Sequence, residues 1–159
     1  MINLSVPNLS MDILENLKEC LESGWVSTGG RFIPEFEGKV IKYMKTKYAA
    51  GVQSGTAGLH MSLQVLGVQR DEEVIAPTLT FIAAVNPITY LGANPVFIDC
   101  DDSLCMDPLK LEKFCSEECD YIDGVLINKK TKRKIRALVI VHVFGNMADM
   151  EKIMDIAKK

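Results

Sequence analysis

The feature that most constrains this chain is an alternation. Short apolar runs, Val74-Ile75-Ala76, Pro95-Val-Phe-Ile-Asp99 and Ala137-Leu-Val-Ile-Val-His-Val143, recur between segments whose apolar residues fall at helical spacing. A strand that is apolar at consecutive positions has both faces covered, and helices between such strands supply the cover. The pattern predicts an α/β fold: three layers with a mainly parallel sheet between helices, and ligands at the carboxyl ends of the strands.

Met11 to Ser23 carries Ile13, Leu14, Leu17, Cys20 and Leu21 on one helical face, with Ser10 as N-cap and Gly24 as stop. Ile33 to Met44 repeats the pattern, with Glu35 and Glu37 early and Lys42 and Lys45 late, the order the helix dipole favours. Between them, Gly24 to Arg31 surrounds the only tryptophan, Trp25, with glycines and hydroxyls and reads as a permissive loop. Tyr48 to Gln53 reads as a strand, Ser54 to Ala57 as a polar turn, and Leu59, Leu63 and Leu66 as a helix ending at Gly67. Thr80 to Tyr90, Asp107 to Phe114 and Lys152 to Lys159 are expected to be helical, and Val125-Leu-Ile a strand before the basic turn Lys129 to Lys134.

With 48% hydrophobic and 25% charged residues the composition is that of a globular chain, and a net charge of −3 offers no basic field for nucleic acid or anionic lipid. No apolar run approaches the ~20 residues of a membrane-spanning helix. Five cysteines, an odd count, and no leader-like opening point to a reducing cytoplasm with free thiols. Cys100, Cys105, Cys115 and Cys119 lack the paired spacing of a zinc site, so no metal is expected.

Ser54-Gly-Thr-Ala-Gly-Leu-His60 falls where a strand hands over to a helix, whose unpaired N–H groups and positive dipole end can hold a phosphate. It has neither a Walker-A lysine nor a full G-x-G-x-x-G spacing, and an ordinary capped helix start explains it equally well. A second polar turn, Ala76-Pro77-Thr78-Leu79-Thr80-Phe81, brings an aromatic ring to the same edge of the sheet, where it could stack on a planar ligand or join the core.

Taken together, Ser23-Gly-Trp-Val-Ser-Thr-Gly, Phe36-Glu37, Ser54 to His60, Thr80-Phe-Ile-Ala-Ala-Val-Asn86, Gly92-Ala-Asn-Pro-Val-Phe-Ile-Asp99 and Val141-His-Val-Phe-Gly-Asn146 resemble the DegT/DnrJ/StrS sugar aminotransferases over nearly the whole chain. The resemblance implies the large domain of the aspartate-aminotransferase fold (fold type I), incomplete at the C-terminus. It divides the chain into an N-terminal helix and substrate-side loop (1–30) and the first part of a cofactor-binding domain (31–159). It also implies pyridoxal 5'-phosphate as cofactor, a nucleotide-linked keto-deoxysugar as substrate, glutamate as amino donor, and a homodimer or other self-association.

Carried over by position, Gly55, Thr56 and Ala57 hold the cofactor phosphate and Phe81 stacks on its ring, while Trp25, Thr28, His142 and Asn146 are substrate candidates. Ile127-Asn-Lys-Lys is similar to the branch serving legionaminic or bacillosamine-type sugars. The family's Asp-Ala-Ala segment and Schiff-base lysine have no counterpart up to Lys159. The chain is therefore expected to be an N-terminal portion with no catalytic residue of its own and inactive alone. The alternatives are an inactive fragment that at most binds cofactor or self-associates, and a nucleotide-binding module built on Ser54 to Ala57.

Overall fold

The computed structural model describes residues 6–159. They form two compact units, the first ending at Gly51 and the second Val52–Lys159, and each is described by itself.

The first unit holds α1 (Ile13–Ser23) and α2 (Phe32–Met44). Helix α1 stops where the sequence indicates, at Gly24, whose φ of 71° is cheap only for glycine. Its start differs by a residue or two: the Ser10 hydroxyl accepts from the Asp12 N–H, while the cap position itself is Asp12. Arg31 pairs with Glu19 and Glu35, and Lys39 with Glu35, tying the start of α2 to α1. Neither helix contains a fully buried residue.

The second unit is built on a five-stranded sheet in the order β2-β1-β5-β4-β3. Its strands are β1 (Glu73–Pro77), β2 (Asn94–Ile98), β3 (Cys119–Ile122), β4 (Val125–Asn128) and β5 (Lys134–Leu138). β1 runs parallel to β2 and β5, whereas β3–β4 and β4–β5 are antiparallel. The sheet is therefore mixed, and the expected mainly parallel character holds only around β1. The hairpin responsible turns at Asp123-Gly124, both in the left-handed region at φ 50° and 80°, as a two-residue β-turn of this kind requires.

Helices α3 (Gly55–Val65) and α4 (Asn86–Tyr90) cover one face, and α5 (Pro108–Lys113) and α6 (Met150–Lys158) the other. Strand alternation sends Val74 and Ala76 into a cluster with Leu63, Ala84, Val85, Ile88 and Val139. It sends Ile75 into a second cluster with Ile98, Met106, Leu111, Phe114 and Ile153. In β5 a bulge at Arg136 resets this alternation: Glu73 faces Ile135 but Val74 faces Ala137. The extra residue lets Ile135 and Leu138 share the second cluster and turns Arg136 toward Glu72, with N–O distances of 3.1 and 3.3 Å.

Three expected elements change on folding. Tyr48 to Gln53 forms no strand: no described strand pairs with it, and the Gly51 N–H donates to Glu37 Oε1 at 2.7 Å instead. Thr80 to Tyr90 is a 3-10 turn at Ile82–Ala84 followed by α4, because Pro87 cannot donate to a preceding carbonyl and restarts the helix. β5 begins at Lys134, drawn back by pairing with β4, and past Leu138 the chain keeps one ladder bond, Val139 N–H to Ile75 O at 2.8 Å.

Ile153 is completely buried between α6 and the sheet. Ile153→Ala is expected to destabilise the second unit by roughly 2–5 kcal/mol, read as a lower urea midpoint with an unchanged slope.

Candidate functional site

Ser54, in extended conformation, caps α3: its Oγ accepts the Ala57 N–H at 3.2 Å and its carbonyl accepts the Gly58 N–H at 3.0 Å. The capped start foreseen as the plain explanation is therefore present, and it selects among the donors. The Gly55 and Thr56 N–H groups have no acceptor among the described residues, whereas that of Ala57 is engaged. Gly55 is exposed, and a Cβ added to it would meet open space. Thr56 is half-buried and adds a hydroxyl to the same helix end.

Phe81 lies just before the 3-10 turn in extended backbone and is 79% exposed. It is not a core residue. The turn after it packs on α3, with Leu59 and Leu63 against the cluster that holds Ala84 and Val85, so Phe81 immediately precedes an element packed on α3. An exposed aromatic face and two free N–H groups with a hydroxyl suit a planar ring that carries a phosphate.

The sequence reading missed what anchors this turn. Pro77 pairs with Ile98, so the next residues, Thr78 and Asp99, stand side by side past the ends of two parallel strands. Thr78 donates its N–H to Ile98 O and its Oγ1–H to Asp99 Oδ1, each at 3.0 Å. Asp99 Oδ1 also accepts the Cys100 N–H at 2.9 Å, and Lys110 Nζ reaches Asp99 Oδ2 at 3.2 Å and Cys100 O at 2.9 Å. The Cys100 N–H, then Lys110, then Thr78 hold the Asp99 carboxyl below the usual aspartate range, and Asp99 in turn raises the Lys110 ammonium. The side-by-side positions of Thr78 and Asp99 become a signal only once parallel pairing of these strands is assumed.

His142 and Asn146 follow β5 on an irregular segment where Phe144 adopts φ 53° and Gly145 φ 83°. His142 Nδ1 accepts the Ala148 N–H at 3.2 Å, which leaves Nε2 to carry the proton of the neutral ring. The Asn146 side-chain amide donates to Ser103 O at 3.0 Å and the Asn146 backbone carbonyl accepts the Cys105 thiol, so Asn146 ties two loops together. Trp25 and Thr28 belong to the first unit, both exposed. The Trp25 ring covers Gly29 so closely that an added Cβ would fall 2.6 Å from Cζ3. Among the described residues no cluster of metal-ligating side chains occurs, and no helix is long and apolar enough to cross a membrane.

Residues 7–159 match the model of the DegT/DnrJ/EryC1/StrS aminotransferase family. The chain belongs to this family. It is 38% identical over 152 residues to the GDP-perosamine synthase of Escherichia coli O157:H7, covering 96% of this chain and 38% of that protein. The aminotransferase from Psychrobacter cryohalolentis superposes with a TM-score of 0.79 at 27% identity, over 96% of this chain and 35% of its own. NtdA from Bacillus subtilis, solved with bound cofactor PMP, superposes at 0.73 and 26% identity, over 92% and 30%. The fold is that of the aspartate-aminotransferase (fold type I) large domain, and the chain spans 38% of the curated relative's length.

Two outcomes test this geometry. Burial pushes the Cys119 thiol up to about 11, so iodoacetamide at pH ~8 is expected to label the half-buried Cys20 and Cys100 well before Cys119, read by mass spectrometry. The Asp99 carboxyl, lowered on folding, contributes stability above the unfolded aspartate value of ~3.9 and loses it as pH falls through the lower folded value. Because Asp99 is exposed that contribution is small: an Asp99→Asn variant is expected to unfold in urea close to wild type at neutral pH, with what difference there is narrowing only in that acid window.

Proposed function

We propose that this chain is the N-terminal, cofactor-cradling portion of a pyridoxal-phosphate-dependent aminotransferase that aminates a nucleotide-linked keto-deoxysugar, with glutamate as donor. The observation that carries the reading is a capped helix start with free Gly55 and Thr56 donors together with an outward Phe81 ring just before a turn packed on that helix. Gly55 and Thr56 N–H and the Thr56 hydroxyl hold the phosphate, Ala57 keeps the helix start in place through Ser54, and Phe81 covers one face of the ring. Bound pyridoxal phosphate supplies the electron sink for amino transfer. The similarity to a GDP-perosamine synthase supports a GDP-linked sugar. Ile127-Asn-Lys-Lys lies at the β4–β5 turn, the end of the sheet away from Thr78, and bears less on that choice.

Trp25 and Thr28 in the first unit and, separately, His142 and Asn146 in the second are proposed as substrate contacts on the family resemblance, His142 through its Nε2–H. Lys110, at the same end of the sheet as Thr78, is held as an ammonium by Asp99 and Asp107, and so serves as a fixed cation and not as a nucleophile. This supports the second reading, a chain that holds cofactor and self-associates without turning over alone. The helices of the first unit, which bury no residue fully, support self-association as a homodimer, and the free thiols support a cytoplasmic setting.

Titrating the chain with pyridoxal phosphate is expected to give saturable binding that borohydride does not fix to a single lysine. Phe81→Ala weakens it about five-fold without changing affinity for inorganic phosphate, and Thr56→Val weakens both. Affinity for nucleoside phosphates without any for pyridoxal phosphate would replace this reading with a nucleotide-binding module.

A further inference from the structure

We propose that Asp99 is a positioning residue that, through Thr78, sets the orientation in which Phe81 is offered to a planar ring; the ring as target rests on the cofactor reading above. Phe81 is 79% exposed, so side-chain packing does not orient it. Its direction comes from the backbone on either side. On one side the Phe81 carbonyl accepts the Ala84 N–H at 2.9 Å, and Ala84 is buried in the core. On the other, the intervening Leu79 and Thr80 are partly exposed, and the first firm anchor is Thr78, bonded to the end of β2 through both its N–H and its hydroxyl. Phe81 is thus suspended between a core anchor and a polar one.

The polar anchor is only as fixed as Asp99. Its two oxygens are shared among three donors: Thr78 Oγ1 and the Cys100 N–H on Oδ1, and Lys110 Nζ on Oδ2. Lys110 is placed by α5, where its Nζ also binds Cys100 O at 2.9 Å and lies 3.7 Å from Asp107. The pair is exposed, and exposed ion pairs add little to global stability. Its effect is therefore on geometry: loss of the tie frees a turn without unfolding the sheet.

The experiment compares the chain with its Thr78→Val, Thr78→Ser, Asp99→Ala and Phe81→Ala variants and the Thr78→Val/Phe81→Ala pair. The readouts are amide exchange across Leu79 to Ala84, pyridoxal phosphate affinity, and affinity for inorganic phosphate as the ring-free probe. Thr78→Val and Asp99→Ala are expected to speed exchange in that segment and to weaken pyridoxal phosphate about five-fold, with phosphate affinity unchanged. Thr78→Ser, which keeps the hydroxyl, restores both, and Thr78→Val adds no loss on top of Phe81→Ala. Wild-type exchange in Thr78→Val, equal weakening of phosphate, or failure of serine to rescue overturns the proposal. Faster exchange in Thr78→Val together with no pyridoxal phosphate uptake by the wild-type chain upholds the tie and overturns the cofactor reading instead.

Discussion

The second unit depends on one constraint: β1 is buried at each of its five positions. A strand with no face toward solvent needs an apolar layer on both sides and a hydrogen-bonded neighbour along each edge. The two clusters, with β2 and β5, meet those requirements. The one carboxylate in β1, Glu73, is buried as well and accepts from the Asn128 amide at 2.9 Å, which ties the foot of the hairpin to β1 across β5. At the other end Pro77 has no N–H to give the ladder, the Thr78 N–H makes the last bond to β2, and the turn begins there.

The candidate site divides its work between a rigid part and a tethered part. Phosphate donors at the start of α3 are fixed by the helix and by the Ser54 cap, so their spacing is set by backbone geometry. The aromatic ring is carried on a turn whose position is set by polar contacts at the ends of two strands. A ligand with a phosphate at one end and a flat ring at the other would use both parts, one for charge and one for face.

Much of this was legible in the sequence where local chemistry decides the outcome. Gly24 ends α1 because the left-handed conformation there favours glycine, and Ser54 caps α3 because a hydroxyl before a helical run has a backbone donor within reach. Tyr48 to Gln53 looked like a strand because its residues suit one, but pairing is not local, and no described strand lies beside it. The antiparallel hairpin was missed although Asp123-Gly124 between Tyr121-Ile122 and Val125-Leu126 is a turn signal, because β3 is only four residues long and Asp120 interrupts the apolar run by which strands were recognised. In the site, Thr56 and Phe81 stood out by residue type and position, and the structure packs α3, whose first turn holds Thr56, on the turn that follows Phe81. Asp99 did not stand out, since its partner Thr78 is twenty-one residues away and adjacent only through strand register.

The indole of Trp25 lies where any side chain at position 29 would have to go. What crowds position 29 is therefore its neighbour's ring and not its own torsion angles. A larger residue at position 29 would have to displace the indole, so the consequence of such a change falls on the placement of Trp25, which is otherwise 58% exposed.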